Sequence, residues 1–317
     1  MLVTTESALA DRPNLTTTVA KEYVHRAALA EVFLTSWAKV GPDAFKVNAQ
    51  WPRSHSFYSC ENGLYDPLLL CETVRQTFPL LIHVAYDVPF GHQLSWSRFQ
   101  YAVNFEAMGV EFRPAEIELH VTCSDIRFSR SLPASMSMHI EVVRDGALLA
   151  VVSTRFGCHS PAVYRRLRAG RAGVAAVFAD APKPPRPVAR TEVNRHRLQD
   201  IVLAPTPQPR RWQLRVDTGH PVLFDHAVDH VPGMLLLESV RQAGQAMQPS
   251  SIGMMPASMD VAFNRYVEFD EPCWIEAKPV AETASARDGS RTVRVNALQG
   301  DDFVFTATTE MADATPL

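Results

Sequence analysis

Between Gly219 and Arg241 the chain gathers three histidines (His220, His226 and His230), the aspartates Asp225 and Asp229 beside two of them, then Glu238 and Arg241. Histidine titrates near neutrality and suits proton transfer. A glutamate taken out of water has its pKa raised by burial and serves as a general base. A guanidinium offers a planar fork of donors that matches phosphate. The repeated Asp-His pairs suggest metal ligands, but a metal needs three or four convergent ligands and the spacing fits no zinc signature, so no metal and no other cofactor are expected. One of His226 and His230 is expected to reach the site; spacing leaves open which.

These residues need a scaffold. From Met234 to about Met247, Leu235, Leu236, Leu237, Val240, Ala243, Ala246 and Met247 wrap nearly all round a helix, which must therefore be buried. Glu238 and Arg241 lie three apart on it and can pair. A charge in such surroundings is costly unless compensated, so the pair is either functional or part of a structural ion network.

The same Glu-x-x-Arg-Gln recurs earlier. Leu68 to Gln76 aligns with Met234 to Gln242, matching Glu72 with Glu238, Arg75 with Arg241 and Gln76 with Gln242. Upstream, Val24 to Leu34 aligns with Val193 to Leu203, matching Arg26 with Arg195 among others. The matches keep their order and nearly their separation, which indicates two copies of one unit. Alternation at Phe45, Val47 and Ala49, and again at Trp212, Leu214 and Val216, predicts a strand ahead of each helix. Asp66-Pro67 caps the first helix, which is expected to run from Leu68 to about Phe78 and to end or kink at Pro79. After each helix come hairpins: Met136 to Thr154 turning at Asp145-Gly146, and Thr292 to Thr308 turning at Gln299 to Asp302.

The expected organisation is a lead-in over 1–20, a first domain over 21–160, a basic Pro-rich linker over 161–190 and a second domain over 191–312. The linker carries Arg165, Arg166, Arg168, Arg171, Lys183, Arg186 and Arg190 against the one acid Asp180, and reads as solvated chain or as a docking surface for an acidic partner. The 317 residues suffice for two domains. A composition 46% hydrophobic and 21% charged, without a long apolar run, argues for a globular, non-membrane, cytoplasmic protein. A net charge of −3 gives no general drive towards nucleic acid, and five scattered cysteines give neither a disulfide framework nor a zinc site. No cysteine or serine stands in a recognisable nucleophile setting, so a reaction without an acyl-enzyme is expected.

The stretch Pro232-Gly-Met-Leu-Leu-Leu-Glu-Ser-Val-Arg-Gln-Ala243 behind a histidine loop resembles the dehydratase-type hot-dog proteins. With Asp-His-x-x-Asp-His-Val-Pro-Gly-Met in a tandem chain, it resembles more closely the A-factor (γ-butyrolactone autoregulator) synthase family, over roughly residues 20 to 310. The resemblance implies an α+β tandem hot-dog fold, each half an antiparallel sheet wrapped around a buried helix, the two forming a pseudo-dimer. It implies transfer of a β-ketoacyl group from acyl carrier protein to dihydroxyacetone phosphate, leading to a butenolide phosphate. Glu72, Glu238 and Arg241 are the residues it marks: either glutamate as base and Arg241 as phosphate clamp. Gly233 and Met234 N–H groups would hold the oxyanion, and Arg75 and Asp229 would touch substrate. In dimeric hot-dog enzymes the loop of one unit faces the helix of the other, which would bring Glu72 near the 226 to 230 loop and leave one working site. The alternatives are a hot-dog thioesterase or dehydratase, or a lactone-binding protein without activity.

Overall fold

The computed structural model describes residues 17–60, 62–169, 171, 173–247, 253–280 and 289–313; most of the expected lead-in lies outside them. In the first half, strands β1 (Leu34–Gly41) and β2 (Ala44–Trp51) precede helix α1 (Pro67–Val84), and β3 (Gln93–Val103), β4 (Ala115–Ser129), β5 (Leu132–Arg144) and β6 (Ala147–His159) follow it. Short helices α2 (Pro161–Leu167), α3 (Val174–Ala179) and α4 (Arg190–Val193) connect to the second half. There β7 (Leu203–Pro205) and β8 (Arg211–Leu214) precede α5 (Gly233–Ala246), and β9 (Met254–Phe263), β10 (Cys273–Pro279), β11 (Arg291–Gln299) and β12 (Asp302–Asp313) follow.

All strands join one antiparallel sheet in the order β1-β2-β4-β5-β6-β3-β9-β12-β11-β10-β8-β7. The second six mirror the first six, so the repeat in the sequence becomes a two-fold relation in space. The seam is β3 against β9, with Phe99 opposite Val261. Alternation sets the register against the core: Phe45, Val47, Ala49 and Trp51 of β2 point inward and are almost wholly buried. Asp145 and Gly146 both take positive φ, 51° and 78°, as a tight turn matched to the strand twist requires.

Each half wraps its sheet around one helix. The Asp66 side chain accepts from Leu68 N–H at 2.8 Å and starts α1, with Pro67 in the first turn. The helix does not stop near Phe78 as expected but runs through Pro79 to Val84. Leu80, Leu81 and Ile82 are buried there, and their burial outweighs the one helical hydrogen bond that proline forfeits. A second departure concerns the basic connection. Arg168 is not solvated: its guanidinium is buried, donates to both Glu268 oxygens at 2.7 Å, and reaches the Asp229 carboxylate at 3.2 Å. The Ala181 to Pro187 stretch forms neither helix nor strand.

Candidate active site

The repeated motifs build two matching ion clusters. On α1, Glu72 Oε1 accepts from Arg26 Nε at 3.0 Å, Arg75 Nη2 at 2.9 Å and Gln76 Nε2 at 2.8 Å, and Oε2 accepts from Arg75 Nε at 2.9 Å. On α5, Glu238 Oε1 accepts from Arg195 Nε and Arg241 Nη2, both at 2.9 Å, and Oε2 from Arg195 Nη2 at 2.7 Å. The glutamines complete the match: Gln76 bridges Phe33 N–H and Glu31 C=O, and Gln242 bridges Val202 N–H and Asp200 C=O. Both glutamates are wholly buried. Burial alone would raise their pKa values, which was the expectation. Two guanidiniums apiece more than offset it and hold each carboxyl down at about 2. Glu72 and Glu238 are therefore permanently charged anchors for arginines, unsuited to taking a proton at neutral pH.

One of the clusters opens onto a cavity of about 830 Å³. Arg26 and Arg75 line it from the first half; Asp225, His226, Val228, His230, Gly233 and Met234 line it from the second. The crossing is tied down by Asp225, whose carboxylate accepts from the N–H groups of Ala27 and Ala28 at 2.6 and 2.9 Å. Neither Glu238 nor Arg241 lines this cavity. Arg241 is spent on Glu238 and on Val193 C=O, and Arg195 is covered by the Phe57 ring at 4.7 Å. The reason is geometric. The loop ahead of α5 meets the cavity with the helix N-terminus, whereas Glu238 lies more than a turn deeper, where its partner Arg195 donates to the Phe57 carbonyl of the first half at 2.9 Å.

Both loop histidines reach the cavity. His226 is half-exposed beside Asp225, and burial together with Arg26 and Arg75 lowers its pKa. The Nδ1 of His230 lies 2.7 Å from Asp229. Asp229 is itself held by the Tyr164 hydroxyl at 2.7 Å and by Arg168, which stacks over Tyr266. Burial would raise its carboxyl, but His230, Tyr164 and Arg168 hold it well below the usual range. It stays a carboxylate that accepts from Nδ1, which leaves Nε2 as the ring nitrogen that Asp229 does not engage. His25, which sequence reasoning passed over, also lines the cavity. Its Nε2 meets His83 Nε2 at 2.9 Å, while His83 Nδ1 must donate to Val88 C=O at 2.6 Å. His25 Nε2 is thus the donor. Burial, Arg75 and His83 hold its pKa at about 3, so it stays neutral.

Away from the guanidiniums the wall turns aromatic. Phe78, one turn beyond Arg75 on α1, stacks on Phe156 at 4.8 Å, and Trp96 stacks on Phe263 at 5.0 Å. The N-terminus of α5 opens between these rings without a side-chain cap. A methyl at Gly233 would sit 3.0 Å from Trp96 and 3.3 Å from Phe263, so a side chain there would require these rings to shift. At the same end of the cavity Ser95 Oγ lies 2.7 Å from His159 Nε2. This pairing joins residues 64 apart in sequence and departs from the expectation that no serine stands in a nucleophile setting.

The family model for the A-factor biosynthesis hotdog domain matches residues 7–160 and 178–313. The chain belongs to that family. A family relative from Streptomyces virginiae, named 2-oxo-3-(phosphooxy)propyl 3-oxoalkanoate synthase, is 47% identical over 92% of this chain and 96% of its own length. One of the same name from Streptomyces coelicolor is 39% identical over 90% and 88%. Among solved structures, a putative oleoyl thioesterase from Lactobacillus plantarum superposes with a TM-score of 0.51 at 12% identity, covering 86% of this chain and 98% of that one, a likeness of fold alone. In this A-factor family member Arg26 was not among the expected site residues; its recurrence as Arg195 is the sequence signal that could have singled it out. Ser95, His159, His25 and Tyr266 left no comparable trace.

Proposed function

We propose that the cavity joins two substrates. The chain is an acyltransferase of the A-factor type: it moves a 3-oxoacyl group onto the hydroxyl of dihydroxyacetone phosphate, forming the 2-oxo-3-(phosphooxy)propyl ester for which its relatives are named. One observation carries the reading: a single cavity is lined by the paired guanidiniums of Arg26 and Arg75, by the aromatic rings of Phe78, Trp96, Phe156 and Phe263, and by an uncapped helix N-terminus at Gly233. A phosphorylated triose and an apolar acyl chain need those two walls, and the developing oxyanion needs the third feature.

The parts divide as follows. Arg26 and Arg75 spend Nε and Nη2 on Glu72. Their Nη1 groups are left to bind phosphate, with His226 beside them. Glu72 sets the spacing of that fork. His230, fixed by Asp229, takes the proton of the triose hydroxyl. Gly233 and Met234 N–H groups, which no described residue accepts from, receive the oxyanion at the positive end of α5. The acyl group arrives as a thioester of acyl carrier protein. Exposed Arg165 and Arg166 on α2 flank Leu167 and Arg171 at the cavity lining, a cationic rim that suits an acidic carrier. The released ester then cyclises: the carbon between its two carbonyls loses a proton and bonds the triose ketone carbon, and the resulting hydroxyl leaves as water to give the butenolide phosphate.

The test is to incubate the chain with a 3-oxoacyl carrier thioester and dihydroxyacetone phosphate and look for the phosphorylated ester by mass spectrometry. Free 3-oxo acid in its place would make the protein a hydrolase. No turnover with tight lactone binding would make it a binding protein.

A further inference from the structure

We infer that Ser95 is a nucleophile that carries the acyl group between the two substrates, with His159 as its base. The inference rests on the transfer reading above and adds a covalent intermediate to it.

The geometry comes first. Ser95 Oγ and His159 Nε2 are 2.7 Å apart, and both residues line the cavity. They are brought together at the end of the β3–β6 ladder, where Gln93 pairs with His159 and Ser95 with Gly157. Gly157 is what leaves room for the contact: a methyl there would lie 2.9 Å from Ser95 Oγ and 3.0 Å from the His159 ring. A regular strand shows alternate residues to one side, yet Leu94, Ser95, Trp96 and Ser97 all line the cavity. The register shift between Trp96 and Arg98 accounts for it, since Ser97 is an extra residue and the strand twists to turn its end inward. Ser97 itself is occupied, donating to Arg155 C=O at 2.9 Å.

The surroundings suit acyl chemistry. Burial lowers the pKa of His159, so its Nε2 lone pair is available to accept the serine proton. Trp96, the neighbour of Ser95, packs on Gly233, which places the uncapped end of α5 on the same part of the wall. A tetrahedral oxyanion formed on a Ser95 ester thus has donors at hand. The Tyr266 hydroxyl is buried within reach of the Ser95 side chain and belongs to a ring 4.7 Å from His230. It sits where it would meet a polar atom of the substrate.

The steps balance. Ser95 Oγ bonds the thioester carbonyl carbon while His159 takes the serine proton. The carbon–sulfur bond breaks, and His159 passes that proton to the departing sulfur, releasing a thiol and leaving acyl-Ser95. The triose hydroxyl then gives its proton to His230 as its oxygen bonds the same carbon. The Ser95 ester bond breaks, and the proton held by His230 returns to Oγ.

The decisive experiment supplies the protein with a 3-oxoacyl N-acetylcysteamine thioester in the absence of triose phosphate, quenches in acid, and maps mass gain on peptides. An acyl mass on the peptide containing Ser95, chased off by dihydroxyacetone phosphate, is expected, together with parallel-line initial-rate kinetics. Ser95→Ala should carry no adduct and form ester ~100-fold more slowly or less. Adduct-free wild-type protein with intersecting kinetics overturns the inference whatever the stability of the variant. Ester formation by Ser95→Ala at the wild-type rate overturns the serine and leaves the transfer standing, whereas wild-type protein that makes no ester overturns both.

Discussion

Arg195 closes on Glu238 as Arg26 closes on Glu72, Nε to Oε1 at 2.9 and 3.0 Å, yet Arg195 is roofed by Phe57 while Arg26 faces open space. Two copies of one motif have kept the same hydrogen bonds and come to different uses. In the first, the glutamate spreads two cations along the wall of the cavity. In the second, it neutralises cations that would otherwise lie buried alone.

Glu238→Ala should therefore act on stability. It leaves Arg241 without its carboxylate and Arg195 with the more distant Asp66 carboxylate at 3.7 Å, and breaking a buried pair by removing one partner costs about 3 to 5 kcal/mol. Chemical denaturation would read the loss. A variant as stable as wild type but without turnover would return Glu238 to the chemistry.

Arg75→Lys should weaken phosphate recognition selectively. Replacing the fork by a single ammonium raises KM for dihydroxyacetone phosphate by about 10- to 100-fold, while KM for the thioester changes little. Steady-state kinetics with each substrate varied in turn distinguishes this from a general loss. An equal effect on both would remove Arg75 from the phosphate site.

Acid should unfold the protein in two overlapping ranges. The folded-state pKa values of Glu72 and Glu238 lie at about 2, below the ordinary 4.5, so their contribution is complete above about 4.5 and is lost as pH falls towards about 2. His25 is held neutral with its pKa lowered from 6.5 to about 3, so the unfolded chain gains a proton that the folded one refuses across that interval. Melting temperature should fall steadily below pH 6.5 and steeply below 4.5. A flat profile from pH 7 to 3 would contradict both ion clusters and the His25–His83 contact.

Asp229→Asn should lower kcat by roughly 100-fold by releasing the orientation of His230. Tyr164→Phe, which removes one of the hydrogen bonds on Asp229, should fall between that variant and wild type and shift the pH–rate profile in the same direction. Identical profiles for Tyr164→Phe and wild type would mean that α2 does not help to position the base.

Much of the architecture could be read from the chain alone because duplication wrote it twice: the Glu-x-x-Arg-Gln helices, the preceding strands and the Asp-Gly hairpin are all present, although α1 runs on to Val84 and β8 stops at Leu214, short of Val216. The site was harder to read, for physical reasons that particular residues make clear. Closeness in sequence suggested that His226 and His230 serve Glu238, but pairing of β3 with β9 lays that loop across the other half and onto Arg26 and Arg75. Burial suggested a raised glutamate pKa, and the sign reversed because Arg26 and Arg195 arrive from segments 46 and 43 residues upstream. Ser95 and His159 meet through strand register, which depends on where a ladder ends and leaves no local pattern.

The roof that Phe57 forms over the second cluster has a bearing on how the molecule responds to its substrates. A symmetric pair of open clefts would allow the first ligand bound to alter the affinity of the second. With the second cluster roofed, each polypeptide is expected to titrate with a single equivalent of triose phosphate and to saturate hyperbolically, the roofed half serving as a frame for its twin.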